Sequence, residues 1–168
     1  MPERVSNASL IAATMAYMIV VGADLFGQLV LIPMTFSEPP RSLFMYHGPV
    51  PYDSEPFWRT LTMIVTVLSL IAVVANWAKP RRYWVLGFFV AWFILNAISF
   101  AFIFPEYQAI QSVPYADHVD PDLLARAQAQ EFKAGVRAVI AIAIGVLPFI
   151  ALSIPLVRNK EVASTRQD

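Results

Sequence analysis

A run of mostly apolar residues from Leu10 to Met34 holds a single carboxylate, Asp24, within Val20-Val21-Gly22-Ala23-Asp24-Leu25-Phe26-Gly27-Gln28. About 20 apolar residues rising 1.5 Å each in a helix cross a hydrocarbon layer of about 30 Å. The run therefore predicts a membrane span. An ionisable side chain inside such a span costs about 2.5–3.5 kcal/mol on insertion scales. Asp24 must face protein or water, and the rest of the chain must shelter it.

Three more long apolar runs follow. They leave the 168-residue chain 58% hydrophobic and 14% charged, with a mean hydropathy of +0.58, whereas soluble domains carry about 25% charged residues. Formal net charge is zero, which gives no electrostatic reason to expect a nucleic-acid partner. The absence of cysteine removes disulfides, thiolate catalysis and Cys-ligated clusters. The first run follows Arg4 but exceeds the 7–15 residues of a cleavable signal core, so it reads as a retained helix. No internal repeat is visible.

The apolar periodicity predicts helices over about residues 9–34, 57–77, 83–104 and 121–157. The expected fold is all-α, one integral membrane domain forming a four-helix up-down bundle with an extracytoplasmic loop cap. Asn7 or Ser9 could cap the first helix. On it Ala13, Tyr17, Val20, Asp24, Gly27 and Gln28 share one side at helical spacing, which should face the bundle. The connection 35–56 is rich in proline and aromatic residues, and so long a connection suits a folded, functional loop. It should cover the mouth of the bundle, with a short helical turn after Pro40.

In the second helix Arg59, Thr62, Thr66, Ser69 and Asn76 form one stripe. A tight basic turn, Ala78-Lys79-Pro80-Arg81-Arg82, leads into a third helix dense in aromatics, which lipid accepts without special arrangement. Trp58, Trp77, Tyr83 and Trp84 stand at helix ends as interfacial anchors. Pro105 should close this helix. Asp120-Pro121 is a strong start for the fourth, with a carboxylate cap and proline in the first turn. Ala134, Arg137, Ala141, Gly145, Pro148, Leu152 and Pro155 share one of its sides, and Pro148 should kink it.

Lys and Arg fix the expected orientation. With both termini on one side, that side collects Arg4, Lys79, Arg81, Arg82, Arg158, Lys160 and Arg166. The positive-inside rule places it in the cytoplasm of a bacterial inner membrane or an equivalent bilayer.

Outer helix ends near Ile32, Arg59, Phe104 and Arg137 align the four spans. A step of about eight residues inward, about 12 Å, then reaches Asp24, Thr66 or Ser69, Asn96 and Gly145. This alignment predicts a polar layer of Asp24, Gln28, Thr66, Ser69 and Asn96, with Asp24 bonded to Asn96 or to a hydroxyl of the second helix. Such a layer can be interhelical glue, or a protonatable site or polar anchor in a small-molecule pocket. The outer-mouth candidates are Arg59, Glu106, Arg137, His47 and His118. The two arginines reach Asp24 only by bending inward, since at helix ends they ordinarily snorkel outward.

Haem held by paired histidines needs them on helices, whereas His47 and His118 fall in connections. Together with Glu106, Asp117 and Asp120 they lack recognisable metal spacing. Serine-nucleophile motifs and glycine-rich phosphate loops are absent. No metal or cofactor is expected. The expected partners are the bilayer, a membrane protein or second copy of the chain, and an apolar small molecule.

The Gly22–Gly27 segment, Phe104-Pro105, and Arg137 within Glu131-Phe132-Lys133-Ala134-Gly135-Val136-Arg137 together resemble the anthrone oxygenase-like family of small four-helix membrane proteins. Most of its members have no assigned activity. The family pattern has asparagines where this chain has Glu106-Tyr107 and Ala134. The resemblance implies the four-helix fold and a cofactor-free oxygenase acting on polycyclic phenols. Three readings follow: a non-catalytic membrane protein that packs with a partner or holds an apolar molecule, an oxygenase-like enzyme using the Asp24 layer or Arg137, and a proton-coupled exporter. A closed interior favours the first, an enclosed cavity at Asp24 the second, and a route open to both sides the third.

Overall fold

The computed structural model describes residues 3–155. Helix α1 (Glu3–Phe26) runs through a π turn (Gly27–Leu31) into the short α2 (Ile32–Phe36). Helix α3 (Glu55–Asn76) follows, then α4 (Arg82–Ile98), which passes through a second π turn (Ser99–Ile103) into α5 (Phe104–Gln111). Helix α6 (Pro121–Ser153) is the last, and no strand occurs among the described residues. The fold is an all-α bundle. Its four long apolar units, Glu3–Phe36, Glu55–Asn76, Arg82–Gln111 and Pro121–Ser153, are each able to cross a membrane and fit a small integral membrane protein.

The element boundaries differ from expectation for physical reasons. The first helix starts at Glu3, so Asn7 and Ser9 lie inside it rather than capping it. Ser6 instead donates to the carbonyl of Ala75 at 2.6 Å, tying α1 to α3. The last helix ends at Ser153 rather than near residue 157, because Ile154 is held extended before Pro155, while Arg158, Lys160 and Arg166 of the orientation argument lie outside the described residues.

Pro105 does not close the third span. A helical proline offers no N–H and its ring collides with the carbonyl four residues back. For Pro105 that carbonyl belongs to Ala101, and for Pro33 to Leu29, each inside a π turn. There the N–H of Ile32 bonds back five residues to Gly27, and that of Phe104 to Ser99. The widened turn accommodates the ring, and both helices continue past their prolines.

Helix α1 packs against α3 and α6, and α4 packs against the same two, which closes a ring of four. Leu10, Ala13, Tyr17, Val20, Val65, Phe88, Trp92 and Ala141 fill its centre. The Tyr17 ring meets Phe88 and Trp92 edge-on, at centroid separations of 5.0 and 5.4 Å. This departs from the expectation that the α4 aromatics face lipid. Phe93, Phe100 and Phe102 are exposed, but Phe88 and Trp92 are core. They sit four residues apart, on the α4 face nearest α1.

Outside, the four spans expose Ile19, Leu29, Val67, Ile94, Val139 and Phe149, while Ser69, Asn76, Ser99, Gln130 and Arg137 are buried. Apolar outside and polar inside is the arrangement lipid selects.

A smaller core joins Ile32, Phe36, Leu43, Ile110, Leu123 and Ala127. Leu43 comes from a 3₁₀ stretch, Arg41–Tyr46, the short turn expected after Pro40. The N–H of Asp120 donates to the Pro39 carbonyl at 3.0 Å, so the two long connections meet. Asp120 also caps α6 as expected, its Oδ1 accepting from the N–H groups of Asp122 and Leu123 at 2.9 and 3.2 Å.

A Cβ at Gly145 would stand 2.9 Å from the Met18 methyl and 3.3 Å from Cε1 of Tyr17. The methyl can swing away. The tyrosine cannot, being held by two rings and by a hydrogen bond to the Ala141 carbonyl. Gly145→Leu should therefore cost about 1–3 kcal/mol as overpacking, and Gly145→Ala clearly less, read by thermal unfolding in detergent. Equal midpoints for Gly145→Leu and the parent would contradict this close approach.

Candidate functional site

Three polar contacts set α1 against α6. The Tyr17 hydroxyl donates to the Ala141 carbonyl at 2.7 Å. Arg137 Nη1 donates to both carboxylate oxygens of Asp24, each at 2.7 Å. Gln28 Nε2 donates to the Glu131 carbonyl at 3.4 Å. Positions rise along α1 as they fall along α6, so the two helices run in opposite directions. Two further contacts set α4 and its extension against α6 in the same sense. Arg137 Nε donates to Ser99 Oγ at 2.8 Å, and Gln130 Nε2 to the Ile103 carbonyl at 2.7 Å.

The centre of this network is the Asp24–Arg137 ion pair, with each side chain about 10% exposed. Ser99 Oγ accepts from Arg137 and donates to the Leu95 carbonyl at 2.7 Å. The Phe104 ring stands with its centroid 5.9 Å from the guanidinium carbon, within reach of a cation–π attraction. Arg137 is thus held by α1, by the second π turn and by the start of α5. Both π turns adjoin the pair. Ser99 opens one of them, and Asp24 precedes the other by three residues.

Asp24 does not bond to Asn96 or to a hydroxyl of α3, as the aligned layer predicted. Asn96 Nδ2 donates to the Trp92 carbonyl of its own helix at 2.8 Å. Thr66 Oγ1 donates to the Thr62 carbonyl and accepts from Trp92 Nε1 at 3.2 Å. Ser69 Oγ donates to the Thr66 carbonyl. Of these bonds the one from Trp92 to Thr66 crosses from α4 to α3, while the others stay within their own helices.

The fourth span reaches further outward than an end at Arg137 implies. Arg137 is not a snorkelling end residue but lies level with Asp24, and Gly145 lies level with Tyr17. The slip is about eight residues, or about 12 Å. Gln28 lies one turn beyond Asp24, its side chain against Gly135.

The outer-mouth candidates disperse. Arg59 is exposed and pairs with Glu55 on its own helix. Glu106 takes a hydrogen bond from Arg126 Nε at 2.9 Å, a partly exposed pair linking α5 to α6. His47 and His118 are exposed. Among the described residues no three or more His, Asp or Glu side chains gather into a group able to hold a metal.

Ser99, Phe104 and Gln130 belong to the site but were absent from the expected layer. Ser99 lies three residues beyond Asn96, and it would have been found had Arg137 been taken as inward-facing.

Comparison with protein-family models, with curated proteins and with solved structures finds no match.

Breaking a buried pair by removing one partner costs about 3–5 kcal/mol, while replacing both with neutral groups often costs little. Asp24→Asn alone and Arg137→Gln alone, each of which strands the other charge, should lose stability of that order in detergent unfolding. The double variant Asp24→Asn with Arg137→Gln should recover most of it. Two single variants and a double whose losses simply add would show that the side chains are not coupled.

Proposed function

We propose that this chain is a non-catalytic integral membrane protein with both termini in the cytoplasm, and that it acts by holding. The bundle grips an apolar small molecule beneath an extracytoplasmic cap, or packs against a membrane partner. The cap comprises the 37–54 connection, α5 and the start of α6. The observation that carries this reading is the engagement of Asp24 by an arginine held inside the bundle. Both Asp24 oxygens receive Arg137 Nη1, and Arg137 Nε is used by Ser99.

A carboxylate so engaged is poorly suited to taking up and releasing a proton each cycle, which speaks against proton-coupled export. The inner half of the bundle supports the reading too, since Tyr17, Phe88, Trp92 and Val65 fill it with side chains at most 1% exposed.

One observation favours a second reading, an oxygenase-like enzyme acting on a polycyclic phenol. The three sequence pieces behind the family resemblance converge in space. Asp24 comes from the Gly22–Gly27 segment, and Phe104 from Phe104-Pro105, and both meet Arg137. π turns of the kind that flank them occur often at functional sites. In this reading Arg137 would attract a phenolate and Asp24 would orient the arginine.

Native mass spectrometry of the full chain in mild detergent tests the choice. The holding reading expects a retained small molecule or protein partner, and no oxygen consumption with polycyclic phenols. Oxygen uptake that falls at least tenfold in Arg137→Gln would overturn it in favour of the enzyme.

A further inference from the structure

At the end of the bundle opposite the smaller core, the turn between α3 and α4 carries Lys79, Arg81 and Arg82 without an acid. Arg81 is 1% exposed. Its Nε donates to Asn76 Oδ1 at 2.6 Å, and Asn76 is fixed in turn by bonds to the carbonyls of Ala72 and Ser6. Its Nη2 is buried without a hydrogen-bond partner, and among the described residues no carboxylate forms an ion pair with it. Burial alone lowers its pKa from the ordinary arginine value, yet an arginine remains charged in a protein. A buried cation with no ion-pair partner among the described residues is costly, and Arg81 adds its charge to those of Lys79 and Arg82 on the same turn.

That surface is shaped. A groove of about 280 Å³ is lined by Trp77, Arg82, Tyr83 and Leu86. Arg82 is held at its edge, with Nη2 donating to the Tyr83 hydroxyl at 2.6 Å and the guanidinium 4.6 Å from that ring's centroid. Trp77 and Tyr83 are 60% and 67% exposed, as rings at a membrane–water boundary are. One cation, Arg82, beside the apolar Trp77 and Leu86, with Lys79 on the same turn, matches an anionic headgroup above an acyl chain.

We propose that this basic turn and its groove bind an anionic phospholipid, with Arg82 and Lys79 meeting the headgroup phosphate, Arg81 supplying charge from behind, and the chain lying along Trp77 and Leu86. The inference rests on the membrane reading above. The 156–168 segment is a poorer occupant, since its three basic residues outnumber its two acids.

The test is native mass spectrometry of the full chain with phosphatidylglycerol or phosphatidylcholine of matched acyl chains, in mild detergent. The expected result is preferential retention of phosphatidylglycerol, reduced about fivefold by Arg82→Gln and further by adding Lys79→Gln. Arg59→Gln, at the opposite end, should leave the preference unchanged. Millimolar inorganic phosphate should not displace the lipid.

Equal retention of the two lipids, an equal loss with Arg59→Gln, or displacement by phosphate alone would overturn the proposal. So would a phosphatidylglycerol preference that appears only when residues 156–168 are deleted, since the tail would then be the occupant. A chain that enters vesicles but lacks the preference would refute the lipid site alone. A chain soluble without detergent would refute the membrane reading.

Discussion

A carboxylate in a lipid-spanning helix can persist only if something inside the bundle compensates it, and here that partner is the Arg137 guanidinium. Each charge alone would carry an insertion cost of a few kcal/mol. Together, with Ser99 accepting from Arg137 Nε and the Phe104 ring near the guanidinium, they form a neutral and largely buried unit. The pair fixes which residues of α1 and α6 stand level. The tyrosine bond to Ala141 on one side and the Gln28 contact with Glu131 on the other then fall into place.

The two π turns belong to the same arrangement. Pro33 and Pro105 would each clash with a carbonyl in a regular helix, and the wide turns relieve both clashes while letting the spans continue. They also bring Ser99 and Phe104 toward Arg137 from the third span, and set Gln28 against α6 from the first. Beyond the site the two π turns lead into α2 and α5, which supply Ile32, Phe36 and Ile110 to the smaller core. The opposite half of the bundle is regular and densely packed around Tyr17.

Much of this was legible in the sequence. The four spans follow from apolar run length, the inward face of α1 from the spacing of Ala13, Tyr17, Val20 and Asp24, and the α6 start from Asp120-Pro121. What sequence did not supply was relative depth. Hydropathy says where a helix enters lipid only to within a turn or two, and a cation near a span boundary reads as an end marker. Read that way, Arg137 leaves Asp24 level with amides and hydroxyls instead. Pro105 misled similarly, because a proline usually ends a helix and nothing local announces a π turn. Phe88 and Trp92 are indistinguishable by composition from their lipid-facing neighbours until α1 supplies Tyr17.

The register that the ion pair sets between α1 and α6 can be read in native membranes by oxidative cross-linking, in a chain that has no cysteine of its own. Gln28→Cys combined with Gly135→Cys should join efficiently, since Gln28 Cδ lies 3.8 Å from where a Gly135 Cβ would stand. Cross-linking of Gln28→Cys with Ala141→Cys instead would put Asp24 level with Gly145, and the pairing with Arg137 would be wrong.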